Sequence, residues 1–553
     1  MSGDGKQSKF NNFIVQGGIL ALAGVLVRIL GLFKRIPLTY IIGDLGNSYY
    51  SAAYEIYNIV LTISSYAIPL SVSKLVAARV NKGQYKNADK IFKCTLVFAL
   101  VMGLLSSSFV FIFARSLSEG MNEPMSYLPL RVLAPTLFIV AIMGVFRGFF
   151  QGQGNMVPTA TSQLLEQIIL ICVSLSSAFL LSAKGEKVGK LLQNEHYKNA
   201  YGAAGATLGC SVGAACALAF LILIYRRNSS SFKRKVMRDP TDRIESTGYV
   251  FKVLIFTIIP VVISATVNNI SNFLDQYIHN RIMVEKGLTE IKSINWGIYS
   301  GKYLVLIGVP IAMSSAMGAS SVPTLAGIMK RKAYDEARDK IGRVIRITMM
   351  VSIPCAMGIF VLAGEIMYLL FSTTNETGPI LLRVGAAGIV LFSFSTLTNG
   401  LLQGMSKLIK PIIHGLIALA VHVTILICLL KFTDLNIYAV ALSNNFFSLI
   451  ICILNVFAIS RTVGYRQEYI KTFIYPLVSS LIMGGILFAM NKLLMRNGYS
   501  RIFILLEIIV GALIYFVVMV VSKGITATEL SAVPGGTKLS ALLVRLHLLR
   551  DEE

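Results

Sequence analysis

Charged residues are scarce in this 553-residue sequence, and acidic ones are the scarcest. Only 14% of the residues are charged, with 27 Asp and Glu against 51 Lys and Arg, and the mean hydropathy is +0.69. A soluble chain of this length needs a more polar surface. The composition therefore excludes a soluble globular protein and favours one whose outer surface faces lipid.

Several functional motifs are also missing. The seven cysteines include no CxxC pair, which argues against a zinc site and a disulfide framework. No GxxxxGK[ST] or HExxH segment is present, so nothing indicates a nucleotide site or a metalloprotease. We therefore predict that the protein is not an enzyme and holds no cofactor.

The net charge of +24 has a simpler explanation than nucleic-acid binding. Basic residues fall mostly in short loops between apolar runs, without an aromatic platform, so no nucleic-acid partner is expected. The most basic loops are 74–93, 226–243 and 330–343. Lys and Arg concentrate in the cytoplasmic loops of membrane proteins, which explains this pattern.

Apolar residues come in blocks of about 20, the length that a helix needs to cross ~30 Å of hydrocarbon. Two examples are "FIVQGGILALAGVLVRILGLF" from residue 13 and "CTLVFALVMGLLSSSFVFIFA" from residue 94. The sequence predicts an all-α polytopic membrane protein with about 14 transmembrane helices, the first two at 13–42 and 50–73. The even number places both termini on one side, and the basic loops make that side the cytoplasm.

An internal repeat organises these spans. "LRVLAPTLFIVAIMGVFRGFFQGQG" (130–154) aligns with "LRVGAAGIVLFSFSTLTNGLLQGMS" (382–406) at an offset of 252. The matched elements run in the same sense, which predicts two six-helix lobes with a parallel pseudo-twofold axis. Two lobes enclose a cavity, and their rocking gives alternating access, although an inert duplicated scaffold is the alternative. The expected segments are the N-lobe (1–228), a basic cytoplasmic linker (229–250), the C-lobe (251–463), two extra C-terminal helices (464–525) and an amphipathic cytoplasmic tail (526–553).

Each repeat carries a glycine-rich segment between two spans, "RGFFQGQGNMVP" and "NGLLQGMSKLIKP". Glycine permits a tight reversal, and proline starts a helix where no amide donor is needed. The duplication favours structural turns over a phosphate-binding loop. The residues assigned to these turns are Gly148, Gly152, Gly154 and Pro158 in the first copy, and Gly400, Gly404 and Pro411 in the second.

The chain resembles the multidrug/oligosaccharidyl-lipid/polysaccharide (MOP) flippase superfamily. The resemblance rests on "VRILGLFKRIPL" in span 1, "PLSVSKLVAARVNKGQYKNADKIFK" after span 2, "RGFFQGQGNMVPTATSQLLEQI" across spans 4 and 5, and the layout of six, six and two spans. Within the superfamily it is most similar to the polysaccharide-biosynthesis branch of Gram-positive bacteria, which includes the stage V sporulation protein B type and the lipid II flippases.

This resemblance implies a V-shaped pair of lobes, a cationic cavity between them and a groove for a lipid tail formed by the last two helices. It implies a flippase in the bacterial plasma membrane that moves an undecaprenyl-pyrophosphate-linked cell-wall precursor from the inner to the outer leaflet. Lipid II is the first candidate for this precursor. The alternatives are another lipid-linked polysaccharide, a sporulation-specific glycan, or, less favoured, a cation-coupled drug exporter. The partners expected are a polyprenyl-linked saccharide lipid, the membrane and cell-wall synthesis proteins.

Ionisable residues within spans are costly and are therefore candidates for the substrate site. Arg28, Lys34 and Arg35 lie in span 1, and a cationic stripe there suits a pyrophosphate. The alternative is that Lys34 and Arg35 anchor a shorter helix that ends at Pro37. Arg28 and Lys34 match two span-1 arginines of the lipid II flippases. A further span-2 arginine of that family is absent here, and Glu55, which lies nearby, is expected to balance the span-1 cations.

Span 7 carries a polar stripe, since Asn268, Asn272 and Asp275 follow helical spacing. Asp275 is the candidate to couple a cation or a proton, or to pair with a span-1 arginine, and the asparagines are candidates for substrate binding or for interhelical hydrogen bonds. Transport would then draw on the membrane potential, H⁺ or Na⁺. Some relatives add a span-11 carboxylate to a sodium site, and span 11 here has histidines instead.

Lys302, at the start of span 8, matches a basic cavity residue of the family. The alternative is an interfacial lysine beside Trp296 and Tyr299.

Overall fold

The computed structural model describes residues 4–372, 375–494 and 501–525, and within these ranges the chain forms sixteen α-helices and no β-strand. The predicted all-α fold is confirmed. The helices are α1 (Asp4–Ser64), α2 (Ile68–Val80), α3 (Tyr85–Gly120), α4 (Tyr127–Gly152), α5 (Val157–Leu192), α6 (His196–Met237), α7 (Thr247–Glu285), α8 (Thr289–Ile298), α9 (Leu304–Lys330), α10 (Tyr334–Val361), α11 (Ala363–Phe371), α12 (Thr377–Gly404), α13 (Ile409–Phe432), α14 (Ile437–Val463), α15 (Tyr475–Leu494) and α16 (Arg501–Val521). The predicted amphipathic tail, 526–553, lies outside the described residues.

Most of these helices are long and apolar enough to cross a membrane. Twelve such spans lie in the described part of the chain, and a shorter apolar helix, Thr247–Ile263, begins α7. One of the twelve, Ile29–Val80, contains the end of the first predicted span (13–42) and all of the second (50–73). When Ile29–Val80 is counted as two spans and the apolar start of α7 is added, the described residues contain the predicted number of about 14 spans. The protein is therefore a multi-pass membrane protein.

The boundary between the first two spans is a kink at a single glycine. Gly43 has φ 67° and ψ −179°, a combination that essentially only glycine adopts. Asn47 stabilises the kink, because its Nδ2 donates to the Gly43 carbonyl (3.0 Å) and to Thr39 Oγ1 (3.2 Å). The predicted gap at 43–49 is therefore wrong: the second helical segment begins directly after Gly43, and α2 continues that predicted span beyond a short turn at 65–67.

The chain divides into two compact units, Met1–Gly301 and Lys302–Glu553. The first unit includes α7 and α8, although residues 251–301 were assigned to the C-lobe from the sequence. The reason is close packing on α1: a Cβ at Gly297 would collide with the Asp44 carbonyl, and Thr39 Oγ1 donates to the Gly301 carbonyl (3.3 Å).

The predicted turn glycines need a correction. Four of them, Gly148, Gly152, Gly400 and Gly404, lie inside or at the last residue of α4 and α12, where they admit a neighbouring helix. A Cβ at Gly148 would lie 2.5 Å from the Pro69 carbonyl oxygen of α2, and one at Gly400 would lie 3.1 Å from the Gly318 backbone of α9.

The chain reverses at other positions of the two segments. The reversal after α4 occurs at Gly154 (φ 81°), and in the second copy Ser406 takes the same place with φ 59°. Pro158 lies in the first turn of α5, as predicted, and Pro411 is the third residue of α13. The repeat thus preserves the contact of one helix face with its neighbour within each unit, and the glycines mark that contact.

We expect Gly148→Ala to destabilise the protein by about 1–3 kcal/mol, because the added methyl group overpacks the contact between α2 and α4. Gly120→Ala is the matched control, since a Cβ at this helix-terminal glycine has nothing within 4 Å. Thermal unfolding of the purified variants measures the difference. Equal stability of the two variants would show that the contact is loose.

Residues 238–246, which join α6 to α7, are held to the ends of α2 and α3. Arg79 forms an ion pair with Glu245, and the Glu245 amide donates to Asn87 Oδ1 (2.9 Å). Asp239 accepts hydrogen bonds from the amides of Lys86 (2.7 Å) and Thr241 (2.9 Å). Burial alone would raise the pKa of Asp239, but the hydrogen bonds outweigh it, so the pKa is lowered.

A lowered folded-state pKa means that Asp239 stabilises this connection above its ordinary pKa and loses that effect as the pH falls through the folded value. Asp239→Asn should therefore raise the amide hydrogen-exchange rates of residues 238–246 about tenfold at neutral pH. This factor corresponds to the loss of charge-assisted hydrogen bonds that contribute about 1.5 kcal/mol. The wild type and the variant should converge in acid. Asp242→Asn, at an exposed site, is the control and should change little.

Candidate functional site

Two adjacent cations lie in the membrane segment before the Gly43 kink. Lys34 is 6% exposed, and Arg35 is half-buried. Arg35 Nη1 is buried and has no hydrogen-bond partner among the described residues. Neither residue forms an ion pair within the described part of the chain. Their burial fits a substrate site better than the interfacial anchor that the sequence left open.

The kink brings Tyr50 to these cations. Fifteen residues of straight helix span about 22 Å, yet the Arg35 guanidinium carbon lies 4.7 Å from the Tyr50 ring centroid, and Lys34 Nζ lies 5.7 Å from it. The chain must therefore bend sharply at Gly43. Such cation–π contacts contribute about 0.5–2 kcal/mol each, which only partly offsets the burial of two like charges.

One carboxylate lies close enough to act on Arg35, and a second carboxylate acts on the first. Glu55 interacts electrostatically with both Arg35 and Asp275. Asp275 of α7 is 1% exposed, and the next residue, Gln276, accepts a hydrogen bond from Ser51 (3.3 Å). The structure thus brings Lys34, Arg35, Glu55 and Asp275 into one part of the first unit. The sequence suggested this for Glu55 and the span-1 cations, and it left open that Asp275 pairs with a span-1 arginine.

A second half-buried arginine differs because its charge is already balanced. Arg147 donates from Nη2 to Glu166 (2.7 Å) and from Nε to Ser162 (3.0 Å), which joins α4 to α5. The Arg147–Glu166 pair therefore serves packing between these helices. Of these two arginines, Arg35 is the one that keeps a spare donor for a ligand.

The other predicted site residues of the first unit have varied positions. The side chains of Arg28 and Asn268 lie outside the described ones, although their helices are described. Asn272 is exposed while Asp275 is buried, so these two positions of the stripe have different surroundings. Asn269, which the stripe did not include, donates to Thr62 Oγ1 (3.4 Å) and links α7 to α1.

Lys302 lies in the second unit, in a π-helical turn (Tyr299–Tyr303) that precedes α9. It is 5% exposed, and Trp296 and Tyr299 are also buried. An interfacial lysine beside an exposed aromatic belt does not fit this burial. On α13, where the sequence offered histidines in place of a carboxylate, His414 is hydrogen-bonded to Asn455 (2.7 Å).

One polar cluster was missed by the sequence analysis. Glu123, in the turn after α3, pairs with Lys292 of α8 (3.0 Å), and both side chains are at most 3% exposed. Ser48 and Ser293 also donate to Glu123, and Lys292 Nζ donates to the Asn122 carbonyl (2.7 Å). The cluster ties α8 to α1 and to the turn. No spacing signal could have found it, because its members come from three distant segments.

An apolar groove of about 530 Å³ lies between α2 and α7 within the first unit. Leu70 and Phe256 are among the apolar side chains that line it, and both are more than half exposed. Lys74 and Lys252 also line it, and both are exposed. Apolar walls with two lysines suit a lipid that carries an anionic head group.

The sequence profile of the polysaccharide biosynthesis protein family matches residues 14–329, more than half of the chain. The chain belongs to this family. It is 25% identical over 480 residues to the lipid II flippase MurJ of Bacillus subtilis (strain 168), covering 84% of this chain and 86% of that protein. It is 23% identical over 519 residues to stage V sporulation protein B of the same organism, covering 93% and 96%.

Solved structures show the same fold. The inward closed conformation of the lipid II flippase MurJ matches with a TM-score of 0.64 at 15% identity, covering 90% of this chain and 97% of that one. An inward-facing multidrug resistance MATE family transporter of the MOP superfamily matches with a TM-score of 0.63 at 15% identity, covering 80% and 98%. The predicted membership of the polysaccharide-biosynthesis branch is confirmed by the family profile, and the fold is shared with the lipid II flippase and with a MOP superfamily transporter.

Proposed function

We propose that this member of the polysaccharide biosynthesis protein family is an alternating-access flippase. It moves an undecaprenyl-pyrophosphate-linked cell-wall precursor, with lipid II as the first candidate, from the inner to the outer leaflet of the bacterial plasma membrane. The observation that carries the proposal is the pair of cations in α1: Lys34 is buried, and Arg35 is half-buried with its Nη1 left without a partner among the described residues. The similarity to the lipid II flippase MurJ and to stage V sporulation protein B supports it.

The chemistry of the pair matches a pyrophosphate. Arg35 offers a planar fork of donors and Lys34 a compact charge, and charge-assisted bonds to phosphate oxygens are about twice as strong as neutral ones. Both cations are partly desolvated already, so a dianionic ligand relieves their mutual repulsion. Glu55 is proposed to hold Arg35 in place while no substrate is bound. Arg28 and Lys302 are proposed as further substrate-binding residues.

The groove with Lys74 and Lys252 is proposed to face the cytoplasmic side, together with both termini. Anionic lipids are attracted to basic side chains there, by about 1 kcal/mol for each Lys or Arg near the surface. The polyprenyl tail would remain in contact with lipid while the head group passes the cations. Asp275 is the proposed site for coupling to H⁺ or Na⁺.

Complementation tests the proposed function. Cells whose native lipid II flippases are depleted should grow when they express this protein, and their lipid II should become accessible on the outer face. Failure to restore growth, together with normal membrane insertion, would remove lipid II as the substrate. Restored export of another lipid-linked glycan in the matching depletion strain would identify the alternative.

The rival function is cation-coupled drug export, which the likeness to a MATE transporter and the acids Glu55 and Asp275 favour. Resistance assays separate the two functions. Expression should leave the inhibitory concentrations of cationic drugs unchanged, and a rise that is lost in Asp275→Asn would favour the drug exporter.

A further inference from the structure

Two buried carboxylates meet in the second unit, away from every residue assigned above. Glu365 of α11 is 5% exposed, and Glu507 of α16 is 3% exposed. Asn491 of α15 donates from Nδ2 to Glu365 Oε1. The two acids interact electrostatically with each other. Three segments of the chain thus place two acids and an amide together.

The surroundings of the pair are apolar on the side of the helix bundle. Leu362 and Leu487 belong to one buried cluster. The Leu487 side chain also lies so close to Gly511 of α16 that a Cβ there would collide with it. Along their helices, Glu365 lies about one turn from Leu362, Asn491 about one turn from Leu487, and Glu507 about one turn from Gly511. The carboxylates therefore adjoin a hydrophobic contact between α11, α15 and α16.

Neither carboxylate forms an ion pair with another described residue, and Glu365 Oε2 is buried without a hydrogen-bond partner in the described part of the chain. Several other ionisable groups lie on the packed helices, and none of those described forms an ion pair with either acid. Arg501 donates to Ser372 (2.8 Å) and Tyr515 to the Met350 carbonyl (2.8 Å), Arg383 and Lys492 are exposed, and Tyr368 and Cys355 are half-buried.

We infer that Glu365, Asn491 and Glu507 form a binding site for one small monovalent cation, either a proton or a sodium ion. Two adjacent carboxylates buried in a low-dielectric environment cannot both remain charged, so one positive charge must accompany them. A proton on one carboxyl group would satisfy both acids through a shared hydrogen bond. A sodium ion would take carboxylate oxygens, including the unpartnered Glu365 Oε2, as hard ligands. The site does not depend on which substrate is transported.

The wild-type protein in zwitterionic lipid nanodiscs distinguishes the two ions. For a proton, infrared spectra at neutral pH should show the carbonyl stretch of a buried carboxylic acid, and sodium should not change it. For sodium, the thermal unfolding midpoint should rise by a few degrees when Na⁺ replaces choline, and the carboxylic acid signal should be absent or disappear as Na⁺ is added.

Three variants locate the effect. Glu365→Gln and Glu507→Gln should each abolish the signal or the sodium response, and Glu376→Gln, an exposed acid on the same unit, should keep it. A wild-type protein with neither a carboxylic acid signal nor a sodium response would overturn the inference, whether or not the variants fold. A response that persists in both site variants would also overturn it. Neither readout requires flipping, so a failure here leaves the proposed function intact.

Discussion

Arg35→Ala is expected to reduce flipping of the lipid-linked substrate by about 10- to 100-fold, the loss of charge-assisted phosphate bonds of about 1.5–3 kcal/mol. Arg35 lies 4.7 Å from the Tyr50 ring and keeps an unpartnered buried donor, so its removal leaves the fold with few lost contacts. Arg35→Lys should retain part of the activity, because lysine supplies the charge without the planar fork.

Complementation at reduced expression measures this loss, with membrane abundance determined in parallel. Arg115→Ala is the matched control, because Arg115 is an exposed arginine of α3 that pairs only with Glu119 one turn away. This control should support normal growth. If Arg35→Ala complements as well as Arg115→Ala does, the cationic site does not bind the substrate, and the interfacial-anchor alternative gains support.

The second large effect is expected at the Glu123–Lys292 pair. Lys292→Ala should destabilise the first unit by about 3–5 kcal/mol, since it leaves Glu123 charged, buried and without its counterion. Substitution of the partner residue, Glu123→Ala, should destabilise the first unit by a similar amount. Thermal unfolding in detergent micelles provides the measurement, and Lys184→Ala, at an exposed position of α5, serves as the control.

A double substitution distinguishes the interaction between Glu123 and Lys292 from the separate contributions of the two residues to stability. Glu123→Gln with Lys292→Met removes both charges and should recover much of the stability lost by either alanine variant. Any movement that separates α8 from α1 must break this cluster, so the double variant should also move more easily between conformations. Additive losses in the double variant would mean that the two residues act independently.

Much of the fold follows from the sequence because lipid imposes strict rules on length and polarity. The apolar blocks, the basic loops and the repeat at 130–154 and 382–406 were sufficient to predict an all-α protein of about 14 spans. The kink at Gly43 could not be predicted, because a glycine within an apolar run indicates neither its φ angle nor the bend that brings Tyr50 to Arg35.

The site was predictable where one residue carries the signal alone. Lys34 and Arg35 are charges within an apolar run, and that anomaly is visible without a structure. Clusters built from distant segments were not predictable, as Glu123 with Lys292 shows. The turn glycines illustrate a third case: Gly148 and Gly400 were found by their repetition, but their role in helix packing depends on which helix lies against them.

Flipping by the purified protein in liposomes tests the central claim most directly. Vesicles containing lipid II should expose its saccharide to a membrane-impermeant label on a timescale much shorter than in protein-free vesicles, and Arg35→Ala should slow this exposure about 10- to 100-fold. Wild-type vesicles that expose neither lipid II nor any other undecaprenyl-pyrophosphate saccharide faster than protein-free vesicles would contradict the account.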